Sequence, residues 1–202
     1  MPRQVYLVSG GAVYKPEEEY LEYLKNYIVT FAKHGLRQRD WLENLPERLD
    51  ENFQVIRPSM PNRTCAKYIE WEIWFERFFP FLEEEIILVG YSLGGAFLLK
   101  YLAEHEFPAR IRALFLIGAP LEDNPPFYEL RDFALPTTLN RVSLQAKNII
   151  IYHSRDDRSV PFKQAEELKR LMPSADIRAF DDRGHFLQNE LPELTREIEN
   201  IG

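Results

Sequence analysis

Cys65 is the only cysteine, so the chain can form neither an intrachain disulfide nor a cysteine-built metal cluster, a pattern that suits a reducing compartment. Long apolar runs are missing too: residues 86–89 and 113–117 stop far short of the roughly 20 residues that span a bilayer. At the N-terminus one basic residue leads into the strand-like run 5–8, too short for the core of a signal peptide. Positive charge is in deficit, with 25 Lys and Arg against 32 Asp and Glu and a net charge of -7. That balance disfavours a nucleic-acid backbone or an anionic membrane as partner. No G-x-G-x-x-G or G-K-[ST] sequence follows a strand-like run, and acids and histidines do not fall at metal-ligand spacing. The expectation is a cytoplasmic protein with no cofactor, no metal, no nucleic-acid partner and no membrane contact.

What is present fits one globular domain over residues 1–202. Apolar residues make up 45% of the chain and charged residues 28%, near the averages for soluble domains. Six short β-rich runs recur at residues 5–8, 53–56, 86–89, 113–117, 149–152 and 177–180. Most are continuously apolar, as in strands covered on both faces. Helix-length segments separate them. The clearest starts at Pro16 with three glutamates, carries Leu21, Leu24, Ile28 and Phe31 as an apolar stripe, and is stopped by Gly35. Others are expected near 66–79, 94–104, 162–172 and 192–201, with a shorter one over 39–49 that contains Pro46. Alternation of this kind predicts an α/β fold, a three-layer α/β/α sandwich around a six-stranded parallel sheet, with chemistry at the carboxyl ends of the strands.

Gly90-Tyr91-Ser92-Leu93-Gly94-Gly95 follows the third run and opens a helix-forming segment. This is the G-x-S-x-G nucleophile elbow in its strand-turn-helix setting, which holds a serine hydroxyl above the sheet. A serine hydroxyl needs an adjacent base, and the base needs an acid to hold its tautomer. Asp156 and Asp157 follow the fifth run, and His185 follows the sixth, so Ser, Asp and His occur in the order expected for this fold. His153 is an alternative base, although it precedes the acids. The aromatic series Tyr68, Trp71, Trp74, Phe75, Phe78 and Phe79 has helical spacing and reads as core packing. His34 and His105 read as structural.

These motifs resemble the small α/β-hydrolase-fold serine hydrolases of the retinoblastoma-binding serine hydrolase type. The carriers are Leu-Val-Ser-Gly-Gly at 7–11, Trp-Glu-Ile-Trp-Phe-Glu at 71–76, the elbow, Asp157 with Val160-Pro161, and Gly184-His185-Phe186. The resemblance implies the sheet order 2-1-3-4-5-6, a minimal cap, and activity towards esters or related acyl compounds. It also selects Asp157 over Asp156, since the acid of its D-x-x-V-P pattern stands three residues before the valine. Tyr91 departs from the histidine of many relatives. The L-x-C-x-E partner motif is absent around Cys65, where Arg63 and Lys67 occupy the required positions.

An acyl-transfer site needs oxyanion donors, one from the residue after the serine and one from the loop after the first strand. Leu93 N–H is the first; Gly11 N–H, or else Gly10 or Ala12, is the second. Gly10, Ala12, Tyr91, Phe127, Tyr128 and Phe186 are expected to line a pocket for a small-molecule acyl substrate. The irregular stretch 120–147, with Pro125, Pro126, Phe133 and Leu135, and the loop 58–65 are expected to wall it. Peptidase chemistry on the same residues, or a non-catalytic binding protein on the same fold, are the alternatives.

Overall fold

A computed structural model describes residues 2–28, 39–125 and 128–201. Six parallel strands form one sheet: β1 (Arg3–Val8), β2 (Phe53–Ile56), β3 (Glu85–Tyr91), β4 (Arg110–Ile117), β5 (Ile149–Ser154) and β6 (Asp176–Phe180). Their order is β2-β1-β3-β4-β5-β6. The direction of strand succession reverses beside β1, which pairs Val5 with Val55 of β2 on one side and with Ile87 of β3 on the other. That reversal is a switch point, where the loops after β1 and β3 diverge to leave a crevice at the carboxyl edge.

The continuous apolar runs divide by alternation into two cores, because successive strand residues point to opposite faces. Tyr6, Val8, Ile86, Leu88, Leu114, Leu116 and Ile151 face a layer containing α3 (Tyr68–Glu76), α4 (Leu93–Glu104) and α6 (Lys163–Leu171). Val5, Leu7, Ile87, Val89, Phe115, Ile117 and Ile150 face α2 (Trp41–Arg48) and α7 (Pro192–Glu199). Covered on both faces, β1, β3, β4 and β5 have almost no exposed position, whereas the edge strands β2 and β6 remain partly open. The expected three-layer sandwich and its sheet order are both present.

The aromatic series on α3 divides in the same way. Trp71 and Phe75 are fully buried against Phe97 of α4, while Trp74 is 43% exposed. Pro46 is accommodated in α2, whose start is capped by the Asp40 carboxylate accepting from Glu43 N–H at 2.9 Å. The stretch 120–147 contains a 3-10 turn, Arg131–Phe133, and the short helix α5 (Asn140–Gln145).

The first helix departs from expectation. α1 spans Glu17–Asn26, and Tyr27 is extended. Its end has local causes: Asn26 donates its side-chain amide to the Glu22 carbonyl at 2.9 Å, and the β-branched run from Ile28 follows. None of its residues is buried; Leu21, Leu24 and Ile28 are 46%, 49% and 77% exposed. The stripe is therefore not a core face. Phe31, His34 and Gly35 lie outside the described residues. Among the described residues no helix is long and apolar enough to cross a membrane, and no group of three or more His, Cys, Asp or Glu is placed to hold a metal ion.

Candidate active site

Between β3 and α4 the chain turns so sharply that Ser92 takes φ 52° and ψ -123°. A non-glycine residue seldom adopts such a backbone unless its surroundings impose it. Here Ser92 N–H donates to the Ile117 carbonyl at 2.9 Å, and the Ser92 carbonyl accepts from Gly95 N–H at 2.8 Å. The turn also demands bare backbone at Gly94, where an added Cβ would stand 2.2 Å from the Val8 carbonyl oxygen.

His185 arrives on the loop after β6 and Asp157 on the loop after β5. Ser92 Oγ lies 2.9 Å from His185 Nε2, and His185 Nδ1 lies 2.8 Å from Asp157 Oδ2. An ionised carboxylate only accepts, so Nδ1 carries the proton and Nε2 is left to accept from the serine hydroxyl. The other carboxylate oxygen, Oδ1, accepts from Ser159 N–H at 2.8 Å and Val160 N–H at 3.0 Å. Burial pushes the Asp157 carboxyl up, but the hydrogen bond and charge of His185 and the N–H groups of Val160 and Ser159 together hold it below the ordinary carboxylate value. Its side chain is fully shielded from solvent. Gly118, with φ +54°, lets β4 pass beneath: a Cβ there would lie 3.2 Å from His185 Cε1.

Asp156 faces elsewhere. It is exposed, and its Oδ1 accepts from the Ser154 hydroxyl at 2.5 Å and from Gly184 N–H at 2.8 Å. Ser154 Oγ in turn accepts from Arg183 N–H at 3.0 Å. Two residues at the end of β5 thus fix the backbone just before His185. On the far side, Trp41 Nε1–H donates to the Phe186 carbonyl at 2.9 Å, and the Tyr91 hydroxyl donates to the His185 carbonyl at 2.8 Å. These four supports have no signal in the sequence, because each joins segments far apart in the chain. Tyr91→Phe keeps the ring and removes the bond. It is expected to lower stability by about 1 kcal/mol and kcat by roughly three- to tenfold with KM little changed, since the carbonyl it holds touches no substrate. Denaturant melts and steady-state kinetics on the same preparation read both.

His153 is fully buried. Its Nε2 lies 2.8 Å from the Val160 carbonyl and 3.9 Å from Asp157 Oδ2, and Phe162 packs edge-on to its ring. It does not reach Ser92; it stands behind the acid. Desolvation lowers its pKa from the ordinary 6.5, outweighing the opposing effects of Val160 and Asp157, with His185 adding to the decrease. As pH falls below 6.5 the unfolded chain takes a proton at this site that the folded chain refuses, so stability declines. His153→Gln is expected to remove that component, at most about 1.4 kcal/mol per pH unit, from urea midpoints measured between pH 7.5 and 5.5. Identical slopes in both proteins would contradict it.

A cavity of about 280 Å³ opens beside Ser92 and His185. Ala12, Val13, Leu93, Pro120, Pro125, Leu130 and Val160 give it apolar walls, and Tyr14, Lys15, Glu19, Tyr128, Glu129 and Arg131 bring polar groups to it. Of the residues expected in the pocket, Ala12 and Tyr128 line it. Gly10, Tyr91 and Phe186 do not. The Gly10 carbonyl accepts from Arg63 Nε–H at 2.9 Å; Tyr91 follows the alternation of β3 into the α2/α7 layer; Phe186 is 1% exposed in that same layer. Phe127 and Pro126 lie outside the described residues. Phe133 is buried in core, and the loop 58–65 does not reach the cavity, being folded against Trp71 through Pro61. Gly11 and Leu93 both line it. Ala12 N–H already donates to the Arg63 carbonyl at 2.7 Å, so Ala12 is removed from the oxyanion candidates.

Comparison with known proteins agrees with this architecture. The family model described as alpha/beta hydrolase fold matches residues 80–144, the elbow included. Serine hydrolase RBBP9 of Rattus norvegicus is 28% identical over 182 residues, which cover 86% of this chain and 88% of that protein. The ydeN gene product of Bacillus subtilis is 25% identical over 192 residues, 94% of this chain and 89% of that protein. Its solved structure superposes with a TM-score of 0.78 at 21% identity, covering 98% of both chains. An esterase of Exiguobacterium antarcticum shares the fold with a TM-score of 0.63 at 15% identity, covering 98% of this chain and 90% of that one. By fold, elbow and similarity, the chain resembles the small α/β-hydrolase-fold serine hydrolases of the retinoblastoma-binding type.

Proposed function

We propose that the protein hydrolyses an ester, thioester or related acyl bond through Ser92, His185 and Asp157. The observation that carries this reading is the continuous pair of hydrogen bonds from Ser92 through His185 to Asp157, at 2.9 and 2.8 Å, opening onto a cavity. His185 Nε2 accepts the proton as Ser92 Oγ attacks the acyl carbon, and Asp157 stabilises the imidazolium that forms. The negative charge gathering on the carbonyl oxygen is met by Leu93 N–H, at the first position of α4, and by Gly11 N–H across the crevice. His185 then returns its proton to the leaving alcohol or thiol, leaving an acyl-serine. A water molecule, deprotonated by the same histidine, attacks that acyl group; the tetrahedral species collapses to release the acid and restore the serine hydroxyl.

The cavity favours hydrolysis over a purely binding role, since Ser92 and His185 line open space that no aromatic side chain among the described residues seals. Its volume and apolar walls suit a small or medium acyl group. The test is hydrolysis of 4-nitrophenyl butyrate by wild type and by Ser92→Ala. Turnover that disappears in the variant supports the reading; turnover that survives in it places the activity elsewhere.

A further inference from the structure

Four non-glycine residues among those described have positive φ: Asn62, Ser92, Arg131 and Phe186. Asparagine tolerates that region, and Ser92 and Phe186 belong to the turns that carry the serine and the histidine. Arg131, at φ 48°, has neither explanation. Its neighbours are pinned. Leu130 N–H donates to Asp123 Oδ1 at 2.6 Å, Asp132 Oδ2 accepts from Tyr68 N–H at 2.8 Å, the Asp132 carbonyl accepts from Lys100 Nζ at 2.9 Å, and Phe133 is fully buried. These anchors account for the backbone but not for the residue type, because glycine or asparagine would occupy the same φ with less strain.

What arginine adds is a guanidinium at the Ser92 cavity. It lies 5.5 Å from the Tyr14 ring centroid, and Tyr14 lines the cavity as well. Its acidic neighbours hold it loosely: Glu129 Oε2 is 3.3 Å from Nε and Glu19 Oε2 3.8 Å from Nη2. Both distances exceed the roughly 2.7–2.9 Å of a charge-assisted hydrogen bond. The side chains of both acids are more than half exposed, against 28% for Arg131, so water already competes for them. Lys15 brings a second cation to the same cavity and makes no ion pair among the described residues.

We propose that the Ser92 cavity takes an ester or thioester whose acyl chain ends in a carboxylate, with Arg131 binding that carboxylate. The inference rests on the hydrolase reading and names its substrate class. The planar guanidinium offers paired N–H groups to the two carboxylate oxygens, with Lys15 adding to the attraction.

Matched esters test it: 4-nitrophenyl hydrogen adipate against 4-nitrophenyl hexanoate, and 4-nitrophenyl hydrogen suberate against 4-nitrophenyl octanoate. Within each pair the acyl chains have equal length and differ by the terminal carboxylate. For at least one pair the wild-type kcat/KM is expected to favour the acid. That ratio should fall on the order of tenfold in Arg131→Gly, fall less in Arg131→Lys, and shrink as salt is added. Arg131→Gly also relieves the strained backbone, so its melting temperature should hold or rise. A wild-type preference for the neutral ester in both pairs, or a ratio unchanged in Arg131→Gly, overturns the inference while Ser92-dependent hydrolysis of the neutral esters keeps the hydrolase reading. Hydrolysis of neither kind of ester overturns both.

Discussion

Asp157→Asn is expected to lower kcat for a 4-nitrophenyl ester by on the order of 10⁴-fold while leaving the fold intact. The asparagine carbonyl still accepts from Ser159 and Val160 N–H, which the carboxylate holds at 2.8 and 3.0 Å. Its amide then points at His185 Nδ1, where Asp157 Oδ2 stands 2.8 Å away. An amide N–H donates, so Nδ1 must accept and the proton moves to Nε2. A protonated Nε2 cannot take the Ser92 proton. Steady-state kinetics beside a thermal melt decide the matter; a loss of less than tenfold in well-folded protein removes Asp157 from the proposed machinery. Asp156→Asn is the contrast, because Asp156 touches the backbone of the histidine loop and not the imidazole.

Gly94→Val is expected to cost at least about 4 kcal/mol of stability, lowering the melting temperature by roughly 8–16 °C, or to prevent folding. Even the first side-chain carbon would meet the Val8 carbonyl oxygen at 2.2 Å and the Ser9 carbonyl oxygen at 2.8 Å. The Val8 carbonyl has little room to retreat: Val8 is the last residue of β1 and pairs with Gly90 of β3. Gly94 adjoins Leu93, which lines the cavity together with Gly11, so the close approach of α4 to β1 also sets where Leu93 stands. Packing at this glycine and the proposed oxyanion site therefore have one origin. A melting temperature within 2 °C of wild type would show that the β1–α4 contact is looser than described.

The sequence made the layers legible because strands buried on both faces are apolar at nearly every position, and six such short runs alternate with helix-length segments. The elbow was legible because its glycines answer a local demand of the backbone. His185 and the pair Asp156 and Asp157 were legible from strand ends in chain order, and the D-x-x-V-P pattern of the resemblance selected Asp157. Side-chain destinations beyond those turns were not readable. Tyr91 and Phe186, adjacent to the serine and the histidine, suggested pocket walls, yet strand alternation and a positive φ send both into the α2/α7 layer. The apolar stripe of α1 satisfies the usual test for a buried face, but periodicity records what a helix can bury and not whether another element covers it. Arg131 had no sequence signal: its place at the cavity depends on anchors from Asp123, Tyr68 and Lys100, contributed by three separate segments.

The central claim is that Ser92 is an activated nucleophile. Labelling by a serine-directed fluorophosphonate tests it most directly, because the reagent phosphonylates a serine only when a base and oxyanion donors assist. Wild type is expected to label with one adduct that maps to Ser92, and Ser92→Ala is expected not to label. Well-folded wild type that resists the reagent, or a variant that still labels, would contradict the claim.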